Sequence, residues 1–258
     1  GVARRLRHYG YDVLLLMGED ENEDLVRMSD SGLVDGVLLL DVAMSDPRAR
    51  AAKTSRVPVA SIGCPDDLDA VDLDFEQMGE MAVQKLMKAG HRHVLFLGAN
   101  SHAYEQGVNF LIRTRDSVRI CAEKAGMRLT CDVIDTGDAD EMECVVERAF
   151  ASDPRITAVL GQVGLIAMSN LKSALQSRGY DIPKDISVIQ LGAFGQASVM
   201  NPPLDEIPLR PYATCARAVD VLMEIIEGKR RMSEQGTKEL IAVKYLSRGS
   251  VHDVSKGV

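Results

Sequence analysis

The 258 residues are 46% hydrophobic and 26% charged, the profile of a folded chain with a core rather than of a disordered one. Thirty Lys and Arg against 38 Asp and Glu leave a formal charge of −8, and no basic stripe offsets it locally, so this chain alone is a poor nucleic-acid binder. No run nears the roughly 18 consecutive apolar residues of a membrane helix, and residues 1–10, with Arg4, Arg5, Arg7 and His8, lack the apolar stretch of a secretory leader; the expected location is cytoplasmic.

The chain opens on a predicted helix over 2–9, followed by an apolar run over 13–17 that reads as a strand. Further short runs rich in Val, Leu and Ile recur at 34–41, 57–63, 70–73, 93–98, 129–134, 156–160 and 186–191. Most are continuous rather than alternating, as in parallel strands covered on both faces. Helical periods lie between them. Phe75, Met78, Ala82 and Leu86 share one face, and so do Cys215, Val219, Leu222 and Ile226. Gly90 and Gly179 stand where helix C-caps are expected, just before strands. Strand and helix in alternation give an α/β chain with parallel sheets. An α/β domain normally opens on a strand, so a chain that opens on a helix suggests that a strand precedes it.

The motifs of common enzyme classes do not occur. There is no G-x-S-x-G, no phosphate loop, no G-x-G-x-x-G and no H-E-x-x-H. Cys64, Cys121, Cys131, Cys144 and Cys215 are odd in number and widely spaced, which reads as reduced core thiols. His91 and His93 form a local pair with no third ligand nearby, so neither a metal nor a cofactor is expected. The acidic stretch 135–141 lacks the later ligands of a calcium loop and reads as the N-terminal cap of the next helix.

Val71-Asp72-Leu73-Asp74, then Gly79, Leu86 and Gly90-His91-Arg92-His93-Val94, resemble the V-x-x-D, helix, L-x-x-x-G-H-R-x-[IV] signature of the LacI/GalR transcription regulators. Residues 179–194, G-Y-D-I-P-K-D-I-S-V-I-Q-L-G-A-F, with N-P-P-L after them at 201–204, are similar to that family's G-x-x-[IV]-P-x-D-[IV]-S segment and P-P-L. The early V-D-G-V at 34–37, V-P-V at 57–59 and the closing L-S-R-G-S at 246–250 fit in the same order. The resemblance implies two doubly wound parallel-sheet α/β subdomains of periplasmic-binding-protein-like type I, joined by three crossovers. It places an N-terminal subdomain at 1–91 and 208–235 and a C-terminal one at 92–207 and 236–258. It further implies a small-molecule effector, sugar-like or another metabolite, in the cleft between the two subdomains, and a helix-turn-helix headpiece, absent from this chain, through which alone DNA is contacted.

The resemblance also selects site residues. Asp74 occupies the family's V-x-x-D carboxylate, and equally suits the N-cap of the helix beginning at Phe75. The family's effector-binding arginine corresponds to Arg113 or Arg115, because strict spacing lands on Thr114 between them. Val163 and Gly164 stand where the family carries Asn and Asp, and Gly192 and Ala193 replace its two aspartates. Gln162, Gln190, Gln196 and Tyr104 are the replacement polar groups, each of which also suits a surface loop. Those losses favour an effector less polar than a monosaccharide, one bound elsewhere, or none.

The leading expectation is therefore a non-enzymatic effector-binding and dimerisation module of a LacI-type regulator. Its homodimer would use the helices around 2–9 and 212–227. A periplasmic solute-binding protein of a transporter is the alternative, and an α/β enzyme sharing only the fold is a third reading.

Overall fold

The computed structural model describes residues 1–16, 21–66, 68–232 and 236–256. In chain order the elements are α1 (Val2–Arg7), α2 (Glu21–Ser31), β1 (Val37–Leu39), α3 (Pro47–Ala52), β2 (Val59–Ile62), β3 (Ala70–Leu73), α4 (Phe75–Lys88), β4 (His93–Ala99), α5 (Ser101–Glu105), α6 (Asn109–Lys124), β5 (Arg128–Ile134), α7 (Ala139–Ser152), β6 (Ala158–Gln162), α8 (Leu165–Ser177), β7 (Ser187–Leu191), β8 (Asp205–Ile207), α9 (Pro211–Ile226) and β9 (Lys238–Ile241). They divide into two compact units. The first comprises Gly1–Asp74, Gly107–Asn109 and Arg210–Ala242; the second comprises Phe75–Gln106, Phe110–Leu209 and Val243–Val258.

The first unit holds a parallel sheet ordered β1-β2-β3-β9. Val71 on β3 packs against Ala218, Val221 and Ile225 of α9, while Leu39, Val59 and Leu68 pack with Leu25 of α2 and Ala49 and Ala52 of α3. That is the two-faced burial that makes parallel strands read as continuous apolar runs. Asp46 caps α3 by accepting from the Arg48 amide, with Pro47 beside it in the first turn. The expected strand at 13–17 is not formed over 13–16, where Val13, Leu14, Leu15 and Leu16 are 48%, 60%, 68% and 43% exposed; Met17 lies outside the described residues. A strand needs a neighbour to bond with, and no strand among the described residues pairs with this run.

The second unit holds a parallel sheet ordered β5-β4-β6-β7-β8. Leu95 and Leu97 of β4 point into a core with Met142, Val145 and Val146 of α7 and Met168 and Leu171 of α8. Val94 and Phe96 alternate to the other face and are equally buried. Gly90 and Gly179 adopt φ of 87° and 83°, and the bonds from His91 N to Leu86 O and from Tyr180 N to Leu175 O close α4 and α8 as those glycines predict. Asp138, not the whole acidic stretch, caps α7 by accepting from Glu141 N, while the Glu141 carboxylate gathers the amides of Asp135, Thr136 and Gly137.

The units divide elsewhere than the sequence-based boundaries at 75–91, 107–109, 208–209 and 236–242, and the physical reason is visible at the first and last of these. Strand β9 lies in register with β3 from Lys238 to Ile241, which puts 236–242 in the first unit. Helix α4 belongs with the second unit, where a Cβ on Gly79 would stand 2.8 Å from Ser117 Cβ and from Val118 N of α6. Two strands escape the sequence pattern altogether. Both β8 and β9 carry charged residues within short runs, Asp205-Glu206-Ile207 and Lys238-Glu239-Leu240-Ile241. The cysteines are free, but only Cys64 is buried; Cys131 and Cys144 are exposed, which corrects the expectation of core thiols.

Candidate functional site

All neighbouring strands of the second sheet run parallel, so their carboxyl ends lie along one edge, where open α/β sheets place their ligands. The segments that leave the strand ends build that edge. After β4 come Asn100 and α5; after β6 come Val163 and Gly164, then α8; after β7 comes the loop 192–195. Gly98, near the end of β4, has no side chain, and Tyr104 lies in the space this leaves, its hydroxyl 2.6 Å from where a Cβ would stand. Tyr104 donates to Gln162 Oε1 at 3.1 Å, and the guanidinium of Arg115 sits over its ring, 5.0 Å from the centroid. Burial pushes the Tyr104 hydroxyl up to about 12, with Arg115 acting in the opposite direction, so it remains a hydrogen-bond donor at neutral pH.

Gln162 is nearly buried, and its amide reaches Phe110 O at 3.4 Å. Gln190 is wholly buried and donates to Val163 O at 2.9 Å, and its Oε1 has no partner among the described residues. Thus Arg115, Tyr104, Gln162, Val163 and Gln190, chosen from scattered stretches of sequence, fall into one connected group. Gly192, two residues beyond Gln190 in the chain, has φ of 69°, a left-handed backbone that favours glycine, and its amide bonds Ile207 O. Gln196 opens a short 3-10 turn, Gln196–Val199.

The two candidate arginines have different surroundings. Arg113 is 8% exposed, with a fork that meets both carboxylate oxygens of Glu76 at 2.7 and 2.6 Å and a guanidinium that lies over the Phe75 ring. Arg115 is more open: it pairs with its neighbour Asp116 at 3.0 Å and lies over the Tyr104 ring. Thr114, at the family's strict spacing, is fully buried, and its hydroxyl has no hydrogen-bond partner among the described residues. Asp74 is the last residue of the first unit, its amide donating to Ile241 O.

Reasoning from sequence did not single out Phe110, Ile166 or Phe194, which leave 40%, 77% and 66% of their surface exposed close in the chain to these residues. Their only signal is an apolar residue near a helix start or in a loop. The imidazoles of the His91/His93 pair are both engaged by protein: His91 with Thr157 Oγ1 and His252 O, His93 with Asp153.

Residues 83–251 match the family described as a periplasmic binding protein-like domain. The chain belongs to the LacI/GalR family, as its effector-binding module. It is 26% identical over 231 residues to catabolite control protein A of Priestia megaterium, covering 86% of this chain and 68% of that protein. It is likewise 26% identical to the regulator CelR of Thermobifida fusca, over 80% of this chain and 62% of that one. The module thus spans about two thirds of the length of the curated relatives it matches. Among solved structures, a LacI-family regulator of Bifidobacterium animalis superposes with a TM-score of 0.80 at 19% identity, covering 97% of this chain and 91% of that one. A CelR–cellobiose complex superposes at 0.78 and 20% identity, over 96% and 76%. These likenesses carry the fold: two parallel-sheet α/β subdomains of periplasmic-binding-protein-like type. The named relatives are transcriptional regulators, and none of the names describes an enzyme. Among the described residues no helix is long and apolar enough to cross a membrane.

Proposed function

We propose that this module binds a small-molecule effector along the carboxyl edge of the second sheet, and that the bound state governs DNA binding by a helix-turn-helix headpiece in a cytoplasmic, dimeric regulator. The single observation that carries the reading is the connected group Arg115–Tyr104–Gln162 at the end of β4 and β6, two elements brought together only by folding. A relative solved with cellobiose and a regulator of Enterococcus faecium solved with ribose support a small ligand. A net charge of −8 supports delegation of DNA contact to another part of the protein.

The ligand differs in kind from a simple sugar. Val163, Gly164, Gly192 and Ala193 offer no side-chain partners for hydroxyls, and Phe110, Ile166 and Phe194 add exposed apolar surface close to them in the chain. Polar sites discriminate by the partners they supply, so a polyol gains little here. Calorimetry with monosaccharides, sugar phosphates, nucleosides and apolar metabolites tests this. Monosaccharides bind weakly, and for the ligand that binds, Arg115→Ala weakens affinity by about 1.5–3 kcal/mol, the range for hydrogen bonds to a charged group. Asp74→Ala weakens it as well. Tight binding of a simple sugar, unchanged in both variants, overturns the assignment.

A further inference from the structure

The amino edge of the second sheet, opposite the strand ends described above, carries a cluster of charge that the proposed function does not use. His93 and Arg128 open β4 and β5 and are partners in register, so their side chains share one face. Thr157 N donates to His93 O at 3.1 Å, which brings the turn between α7 and β6 to the same place, and Asp153 and Arg155 lie in that turn. Three basic side chains converge on Asp153, which is 1% exposed. His93 Nδ1 stands 2.6 Å and Arg128 Nε 3.1 Å from its Oδ2, and Arg155 Nε stands 3.4 Å from its Oδ1.

The charges in this cluster do not balance. The pairs Arg148–Asp132 and Arg113–Glu76 each set one guanidinium fork against one carboxylate. Here a single carboxylate serves two guanidiniums and an imidazole, and among the described residues neither Arg128 nor Arg155 pairs with any other carboxylate. Burial would raise the Asp153 carboxyl, but the bonds from His93 and from the Arg155 amide outweigh this and hold it below its ordinary range, so it is ionised. Even with about half a negative charge added by the carboxyl end of α7, the sum stays positive before the imidazole is counted, in a chain whose net charge is −8. Each arginine turns only Nε to Asp153; the Nη groups make no hydrogen bond among the described residues, and both side chains are more than half exposed.

We infer that Arg128 and Arg155, set in place by Asp153, form a binding site for a phosphate group at the amino edge of the second sheet. Two separate guanidinium forks present more donors than one planar carboxylate can take, whereas a phosphate brings three acceptor oxygens and a charge of about −1.5 to −2. The site lies wholly within the second unit and does not depend on what the effector is or where it binds.

Titration of the whole chain with inorganic phosphate, at fixed pH and with chloride exchanged to hold the ionic strength constant, tests the inference; the imidazole nitrogen resonances of His93 are the local readout. A saturating shift at His93 is expected. Arg128→Gln and Arg155→Gln should each weaken binding by about tenfold, the worth of one charge-assisted hydrogen bond, and the two changes together should abolish saturation. Arg50→Gln, an exposed arginine of the first unit, should bind as the unaltered chain does. Glycerol phosphate and a peptide with a single phosphoserine separate the two sources of such a group: a midpoint far lower for the peptide assigns the phosphate to a protein partner, and equal midpoints assign it to a free ester. A drift that never saturates, or saturation that survives the double change, overturns the inference and leaves the arginines as solvent-screened partners of Asp153. The urea midpoint of each variant reports whether its fold persists, and should Arg155→Gln fail that check, Arg128→Gln decides.

Discussion

At the scale of single residues, the polar groups matter most where burial gives them no alternative partner. Asp205 is fully buried on β8; burial alone would raise its carboxyl, but the Tyr245 hydroxyl and the amides of Arg248, Gly249 and Ser250 outweigh this and hold it below its ordinary range. The closing L-S-R-G-S motif is thereby the strap that Asp205 fastens. His91 is the reverse case. It is 1% exposed, and burial pulls its pKa below the ordinary value, with the bond to His252 O opposing the shift. The unfolded chain therefore takes up the His91 proton before the folded one does. The His91 contribution to stability is complete above about pH 6.5 and is lost as pH falls below that toward the lower folded value. Urea midpoints measured from about pH 7.5 down to 5.5 should decline, and His91→Gln should flatten the decline. A slope identical in the variant would show that another group drives it.

At the scale of elements, α4 and α6 approach so closely that one methyl group decides the packing. A Cβ on Gly79 would lie 2.8 Å from the backbone nitrogen of Val118, which cannot swing away as a side-chain tip could. Replacing Gly with Ala in a helix gains about 1 kcal/mol from propensity, while overpacking a rigid contact costs about 1–3 kcal/mol. The second effect wins here, and Gly79→Ala is expected to lower the urea midpoint; a rise would mean that the helices can separate freely. The same contact, with the Arg113–Glu76 pair and the bond from Ser117 Oγ to Glu76 O at 2.6 Å, makes α4 part of the second unit. Helix α1 is held by different means. It has no buried residue and is fixed to α9 by Arg5 and Tyr9, both on Asp220, at 2.6 and 2.8 Å.

At the scale of the whole molecule, α1 and α9 present the surface on which the dimer is proposed, with Arg4 over the half-exposed Tyr212 ring at its margin. Two-fold pairing is the commonest closed assembly and matches the paired half-sites read by helix-turn-helix regulators. Sedimentation at micromolar concentration is expected to give twice the 28.1 kDa of one chain, and Asp220→Arg, which reverses the charge that anchors α1, to shift the population toward monomer. A single-chain species of the unaltered protein at that concentration would refute the dimer for this chain.

What the sequence alone determined was periodic or local. Continuous Val/Leu/Ile runs revealed β4, β6 and β7, because strands buried on both faces tolerate few other residues. Gly90 and Gly179 revealed helix ends, because a left-handed cap selects glycine. Ordered motifs revealed the family. Tertiary structure decided whatever depends on a neighbour distant in sequence. The apolar run at 13–16 reads as a strand but has no partner to pair with among the described residues, whereas Lys238–Ile241 scarcely reads as one and is held as β9 by β3. The identity of the open arginine was decided in the same way. Sequence spacing left Arg113 and Arg115 equivalent, and the approach of Glu76 and Phe75 to one of them, and of Tyr104 to the other, separated a buried clamp on Glu76 from a more open group stacked on a tyrosine ring. Spacing along a helix sets direction only to within a fraction of a turn; what a side chain meets there is set by elements that arrive from elsewhere in the chain.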